Sequence, residues 1–385
     1  MRELREILAA QAKWSRESLV MGTVVDVTGS SYRQPGARML LRRSGERVGL
    51  ISGGCLERDV VKHAFARTED GPQTVLYDTR GDRLDPGGRY GSGCDGVVHL
   101  FLERLGPDRK PDRALRALTA TLERRQSCVL ATLFSATPNF DDLVGLKLVI
   151  DDSAGELSTD LPDKIRNNLA QIMADAIAWH RPRTLRLQSG DDRLAFLIEP
   201  LRPPLDLLIF GAGDDVQPVA QMAHTLGWDV RIADQWPVWT TRKRFPTARD
   251  VTCAPAEKLL DEVHVDSDTH ALLMTHDFEA DAVLLPKLLE RKPAFLGLLG
   301  PRRRTMRLFE QLHSRGNLPA PDSLDHVQTP LGLDLGGEAP SEVALSVVSG
   351  VLAAQKGRSG GLIQAGDTPI HDEHQRILQD IVEAS

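Results

Sequence analysis

The first apolar residues fall at helical spacing: Leu4, Ile7, Leu8 and Ala12, separated by charges, predict a helix from Arg2 to Glu17. The pattern then changes to period two and β-branched. Leu19–Thr28 (LVMGTVVDVT) reads as a strand, and Arg38–Leu41 with Val48–Ile51 reads as a hairpin around Ser44-Gly45-Glu46. An amphipathic helix follows over Leu56–Arg67, with strands at Gln73–Tyr77 and Val97–Glu103 on either side of a glycine-rich loop. A second group comprises a helix over Asp112–Gln126, strands at Ser127–Phe134 and Leu146–Asp151, a helix over Pro162–Trp179, and strands at Thr184–Gln188 and Arg193–Leu201.

After Arg202-Pro203-Pro204 the pattern alternates strand with helix. Strands are expected at Leu205–Phe210, Asp229–Ala233, Ala271–Thr275 and Ala294–Leu299. Helices are expected at Val216–Leu226, Phe278–Glu290, Pro301–Ser314 and Ser341–Gln355. Such alternation marks a parallel sheet covered by helices. The fold class is therefore α/β: a C-terminal Rossmann-like, doubly wound parallel sheet plus an N-terminal α/β domain with a mixed sheet. The expected boundaries are residues 1–200, with a secondary division into 1–105 and 106–200 left open, then 204–370 and a tail of 371–385. A chain of 385 residues exceeds one ordinary core, which agrees with several domains.

Composition narrows the function. With 41% hydrophobic and 26% charged residues the chain is of globular type. A formal net charge of −7 without a dense basic block argues against nucleic acid, whose phosphates must be neutralised. The one basic knot, Arg302-Arg303-Arg304 with Arg307, reads as a solvated helix face or an anion site. No run approaches the ~18 apolar residues of a membrane span. The N-terminus lacks the apolar stretch and cleavage site of a signal peptide, so a cytoplasmic location is expected. The four cysteines are then free thiols, and without CxxC or HxxxH spacing they predict no structural zinc.

Candidate chemistry gathers at three places. Leu205–Phe210 runs into Gly211-Ala212-Gly213 and a helix, the geometry that brings backbone N–H groups to a pyrophosphate. Asp234 follows Gly211 by 23 residues, where a carboxylate would take the ribose of NAD or another nucleotide. Against this, Val216 stands at the third glycine position, and Asp214 and Asp215 would repel a phosphate; their other reading is simple helix initiation. His276-Asp277 closes a later strand and reads as an acid–base pair or as a cap with a solvated histidine.

The second and third places are Ser52-Gly53-Gly54-Cys55 and Gly91-Ser92-Gly93-Cys94-Asp95-Gly96. Both set a cysteine after glycines that let a ligand approach backbone, and Cys55 also opens a helix, whose dipole lowers a thiol pKa. Functional thiols and buried structural cysteines are the two readings for Cys55 and Cys94; for Cys128 and Cys253 the structural reading is preferred. Arg33 and Arg38, flanking Gln34-Pro35-Gly36-Ala37, read as a phosphate clamp or as exposed turn arginines.

Together these motifs resemble the XdhC/CoxI family. The resemblance runs through Gly29-Ser30-Ser31, Pro35–Met39, Ser52–Glu57, Gly91–Gly96, Gly211–Gly213, Met274–Asp277, Leu296–Arg303, Thr329–Gly336 and Pro340–Ser346, with 112–202 weakly marked. It implies a cofactor chaperone or insertion factor rather than a turnover enzyme. Such a protein holds molybdenum cofactor (molybdopterin) while a terminal sulfido ligand is installed, and hands it to an apo molybdenum hydroxylase of the xanthine dehydrogenase type. A cysteine desulfurase is the implied sulfur-donating partner, and a homodimer the implied assembly. The residues implied to meet the cofactor are Arg33, Arg38, Ser52, Gly53, Gly54, Cys55, Gly91, Gly93, Cys94 and Gly96, with Cys55 or Cys94 as molybdenum contacts. Two competing readings stand: an NAD(P)-dependent oxidoreductase using Gly211, Gly213, Asp234 and His276, and a scaffold that docks hydroxylase and desulfurase without holding cofactor.

Overall fold

The structure, a computed structural model, describes residues 2–80, 96–107, 113–151, 161–316, 327–362 and 381–383. The chain divides into two compact units, one holding Glu3–Pro203 with Ile381–Glu383, the other holding Arg2 and the chain from Pro204 to Leu362. Among the described residues no helix is long and apolar enough to cross a membrane.

The N-terminal unit begins with α1 (Arg2–Lys13), β1 (Leu19–Gly29), β2 (Arg38–Arg42), β3 (Arg47–Gly49), α2 (Cys55–Arg67), β4 (Gln73–Asp78) and β5 (Gly96–Leu105). The five strands form an antiparallel sheet in the order β3-β2-β1-β5-β4. Side chains alternate across it, as a strand's period of two requires. Val20 and Val24 of β1 lie with Leu56, Val60 and Ala64 of α2, while Leu19 and Met21 lie with Ile7 and Ala10 of α1.

A second sheet follows from α3 (Arg113–Arg124), β6 (Cys128–Ala136), a 3₁₀ turn (Pro138–Leu143), β7 (Lys147–Asp151), α4 (Asp163–Ala176), β8 (Arg183–Ser189) and β9 (Asp192–Leu201). Its order is β8-β9-β6-β7, all antiparallel, and Ile381–Glu383 adds in parallel to β8, making the sheet mixed. The register slips between Val24 and Asp26 in β1 and between Leu133 and Ser135 in β6, the mark of a bulge in each. The residues inside these slips, Val25 and Phe134, pack together with Phe101 and Leu197. Around that contact Thr184 donates to the Val25 carbonyl (2.7 Å), Thr74 donates to the Phe134 carbonyl (2.6 Å), and Arg186 pairs with Asp26.

The C-terminal unit comprises β10 (Asp206–Phe210), α5 (Val216–Thr225), β11 (Asp229–Asp234), β12 (Asp250–Cys253), α6 (Ala256–Glu262), β13 (Thr269–Leu273), α7 (Phe278–Arg291), β14 (Phe295–Leu298), α8 (Arg302–Ser314), β15 (Val327–Gln328) and α9 (Pro340–Gln355). All six strands are parallel, in the order β12-β11-β10-β13-β14-β15. Counted along the chain this is 3-2-1-4-5-6, the Rossmann arrangement, with its reversal between β10 and β13. The sheet is buried on both faces: Leu207 and Ile209 of β10 pack toward α5 and α9, and Leu208 and Phe210 toward α6, α7 and α8. That double burial explains why β10 is an unbroken apolar run rather than an alternating one. The sequence pattern does not predict β12 and α6. β12 is a four-residue edge strand with little burial, and its Cys253, which the sequence favours as a buried structural thiol, is exposed. Cys128 is buried on β6, its thiol pushed up by burial, with Thr121 at 3.2 Å.

Candidate functional site

The strand ends that converge at the Rossmann reversal are those of β10 and β13. Gly211 turns the chain there with φ +127°, and a Cβ at this position would collide with the Met274 carbonyl. Glycine is thus required by the approach of β13's exit to the loop. Ala212 N donates to Asp234 Oδ2 (2.6 Å) and Trp236 N to Oδ1 (3.2 Å), so both oxygens of Asp234 serve the protein's own backbone. The carboxylate is buried, and burial pushes its pKa up against those two hydrogen bonds. Val216, at the third glycine position, is fully buried in the α5–α9 core.

His276 adopts a left-handed backbone (φ +55°) and its Nε2 lies 2.8 Å from Asp215 Oδ2. Asp277 is the helix cap that one reading of the sequence allows: its Oδ1 accepts from Glu279 N (3.0 Å) and Ala280 N (3.1 Å) at the start of α7. Its Oδ2 accepts from Gln235 Nε2 (2.9 Å). Asp214 pairs with Arg244, which also donates to the Ala212 carbonyl (3.0 Å). Beneath, Asp281 is buried between Thr275 Oγ1 and Arg304 Nη1, each at 2.6 Å. Arg304 is thereby engaged inside the basic knot, whereas Arg302 and Arg303 are exposed.

In the N-terminal unit the loop Ser52–Gly54 folds around a carboxylate that the sequence does not single out as a site residue. Glu57, only 1% exposed, accepts from Ile51 N (3.1 Å), Ser52 N (2.7 Å), the Ser52 hydroxyl and Gly54 N (3.0 Å). Burial works against its charge, but the hydrogen bonds from Ser52 and the backbone outweigh it and lower the pKa. A Glu three residues after the helix cap is a sequence signal for this contact, being half of a capping box.

The two glycines of the loop differ. Gly54 caps α2 with φ +113° and needs glycine for its conformation. Gly53 has no left-handed φ, and among the described residues a Cβ there would meet nothing within 4 Å. Among the described glycines no other combines those two properties. Neither backbone strain nor crowding by the described residues calls for glycine at 53.

α2 runs alongside β5. Arg104, near the end of β5, donates to Thr68 Oγ1 (3.1 Å) past the end of α2, while Tyr77, paired with Val98 near the start of β5, donates to Asp59 Oδ2 (2.7 Å) in the second turn of α2. Cys55, which opens α2, therefore lies toward the same end of the sheet as Gly96. Gly96 is held by Thr79, whose hydroxyl donates to its carbonyl (2.6 Å), and a Cβ on it would collide with the Ser30 carbonyl. Gly91, Gly93 and Cys94 lie outside the described residues, as does the side chain of Cys55.

The two turn arginines are engaged. Arg38 is buried and bidentate on Glu199 of β9 (Nη1–Oε1 2.9 Å, Nη2–Oε2 2.5 Å), which ties the first sheet to the second; it does not stand on the surface as half of a clamp. Arg33 pairs with Glu3, whose other oxygen accepts from Leu50 N (2.8 Å), at the entry to the Ser52 loop. Among the described residues no group of three or more His, Cys, Asp or Glu side chains is placed to hold a metal ion.

Comparison with known proteins agrees with both halves. Residues 207–351 match the XdhC Rossmann domain, and residues 14–78 match the XdhC and CoxI family. A Bacillus subtilis protein, named as a probable subunit of xanthine dehydrogenase, is 30% identical over 89% of this chain and 94% of its own length. PaoD of Escherichia coli, a molybdenum cofactor insertion chaperone, is 24% identical over 90% of this chain and 86% of its own. A crystal structure from Bacillus halodurans, described as a xanthine dehydrogenase, superposes with a TM-score of 0.72 at 29% identity, covering 93% of this chain and 97% of that one. With a Rossmann unit in the 3-2-1-4-5-6 order, and relatives aligned along nearly their whole length, the chain belongs to the XdhC/CoxI family.

Proposed function

We propose that this protein is an accessory factor for a molybdenum hydroxylase of the xanthine dehydrogenase type, and that its cargo is the molybdenum cofactor. Family membership and the likeness to a cofactor insertion chaperone support the accessory role. The observation that carries the cargo site is Gly53: a stretch of backbone that, among the described residues, neither a left-handed φ nor a neighbour requires to be glycine. Close approach of a ligand to the backbone is a physical reason for glycine there.

The residues that fit the cargo are the Ser52–Cys55 loop, Gly96 and, beyond the described residues, Gly91, Gly93 and Cys94. The cofactor is a phosphate-bearing, dithiolene-chelated anion, suited to backbone donors and to soft thiolates on molybdenum. Cys55 stands at the first position of α2. Arg33, at the loop entry, adds positive charge that Glu3 partly offsets. In this reading the protein holds the cofactor during sulfuration, with a cysteine desulfurase as sulfur donor, delivers it to the apo-hydroxylase, and works as a cytoplasmic homodimer.

Anaerobic purification with metal analysis and pterin fluorescence tests it. Molybdenum and pterin bound by wild type and lost in Cys55→Ala or Cys94→Ala support a carrier; a folded wild type that refuses added cofactor rejects it. The oxidoreductase reading needs a dinucleotide at Gly211–Gly213, and the surroundings of Asp234, Val216 and Asp215 do not suit one.

A further inference from the structure

We infer that the Rossmann unit is closed to nucleoside diphosphates by its own side chains, with the Asp215 carboxylate seated where a pyrophosphate would lie. The fold implies a dinucleotide at the reversal between β10 and β13, and the phosphates of such a ligand pack on the bare second glycine of the loop. Here that face is covered. A Cβ on Gly213 would come within 2.7 Å of Asp215 Oδ1, so the carboxylate already lies over the glycine. Asp215 stands at the helix-cap position yet makes no side-chain cap hydrogen bond. Its other oxygen is held instead by His276 Nε2, on the far side of the reversal.

A second bridge closes the mouth. Gln235 follows β11 and Asp277 follows β13, and β10 lies between those strands. The 2.9 Å hydrogen bond from Gln235 Nε2 to Asp277 Oδ2 therefore spans the end of β10, over the loop that would cradle phosphates. On the ribose side, both oxygens of Asp234 are taken by Ala212 N and Trp236 N. The carboxylate that would accept the sugar hydroxyls is already engaged by the glycine loop and by the turn after β11.

Charge acts in the same direction. Asp214 and Asp215 precede α5, where the dipole would otherwise attract a phosphate, and bring negative charge to the seat. Arg244, a cation beside the loop, is paired with Asp214 and the Ala212 carbonyl. The unit keeps the Rossmann strand order and the first two glycines but uses them for packing: Gly211 admits Met274, and Gly213 admits Asp215. Its role in the protein is then one of architecture or partner contact, with no resident nucleotide.

The test is isothermal titration of ADP and of NAD into the full-length protein, wild type beside Asp215→Ser and the isosteric Asp215→Asn. Wild type should show no binding at millimolar ligand. Asp215→Ser, which clears both the bulk and the charge, should show saturable ADP binding at millimolar ligand where wild type shows none, a gain of at least about tenfold, as loss of a phosphate-facing carboxylate predicts. Asp215→Asn, which keeps the shape and folds where Ser fails, should gain less than Ser. Submillimolar binding of either ligand to wild type overturns the inference. So does a folded Asp215→Ser, or failing that Asp215→Asn, that binds ADP no better than wild type, because the carboxylate would then not be the obstruction.

Discussion

Glu57 grips Ser52 with both carboxylate oxygens: Oε1 accepts from Ser52 N at 2.7 Å, and Oε2 accepts from the Ser52 hydroxyl. Ile51 N and Gly54 N complete the set, one on each oxygen. A buried carboxylate so surrounded fixes the loop in one conformation and leaves Gly53 as its open face. Rigidity and, in the proposed function, ligand access thus fall to different residues of the same short loop.

Glu57→Ala should cost about 1–3 kcal/mol, the desolvation cost of the backbone N–H groups it leaves buried and unpaired. Urea unfolding measures that loss. Because the Glu57 pKa is lowered in the folded state, its contribution is present above the ordinary glutamate range and is lost as pH falls through the folded value. Stability of wild type should therefore drop below about pH 4.3, while Glu57→Gln, which cannot ionise, should show a shallower drop in the same window.

Arg38→Ala and Glu199→Ala should each destabilise the N-terminal unit by about 3–5 kcal/mol, since either leaves a buried charge uncompensated. Arg38→Met with Glu199→Leu should recover most of that loss. Thermal unfolding of the three variants checks the order; equal loss in all three would show that the pair contributes more than charge compensation.

Gly211→Ala should disrupt the Rossmann unit, because the added methyl meets the Met274 carbonyl and φ is left-handed. A cost above about 2 kcal/mol is expected from overpacking and backbone strain together. Limited proteolysis should then cut residues beyond Pro204 faster than in wild type, and unchanged resistance would contradict the steric account.

Much of this architecture is legible in the chain. The unbroken run Leu207–Phe210, the glycines after it and the alternation that follows are what a doubly buried parallel sheet demands. β12 and α6 are not legible because an edge strand of four residues and a seven-residue helix bury too little to leave a periodic pattern. The candidate site is legible as a glycine–cysteine motif, yet the sequence does not tell Gly53 from Gly54. Gly54 is glycine for its φ, whereas at Gly53 neither φ nor a described neighbour demands it, and only the folded backbone separates the two. Arg38 reads as a turn arginine because its partner Glu199 is 161 residues away. Likewise Asp215 and Asp234 read as a helix start and a ribose ligand; the bridges they make to His276 and Ala212 N cross between strands and leave no local trace.

The most direct test of the central claim is Gly53→Val, scored for melting temperature and for bound molybdenum and pterin after anaerobic purification. The side chain meets none of the described residues and has no left-handed backbone to strain, so the melting temperature should stay within about 2 °C of wild type. Cofactor content should fall at least about tenfold, since the new side chain occupies the ground a ligand would need. A Gly53→Val protein that melts like wild type and still carries its full complement of molybdenum and pterin would contradict the assignment of this loop as the cargo site.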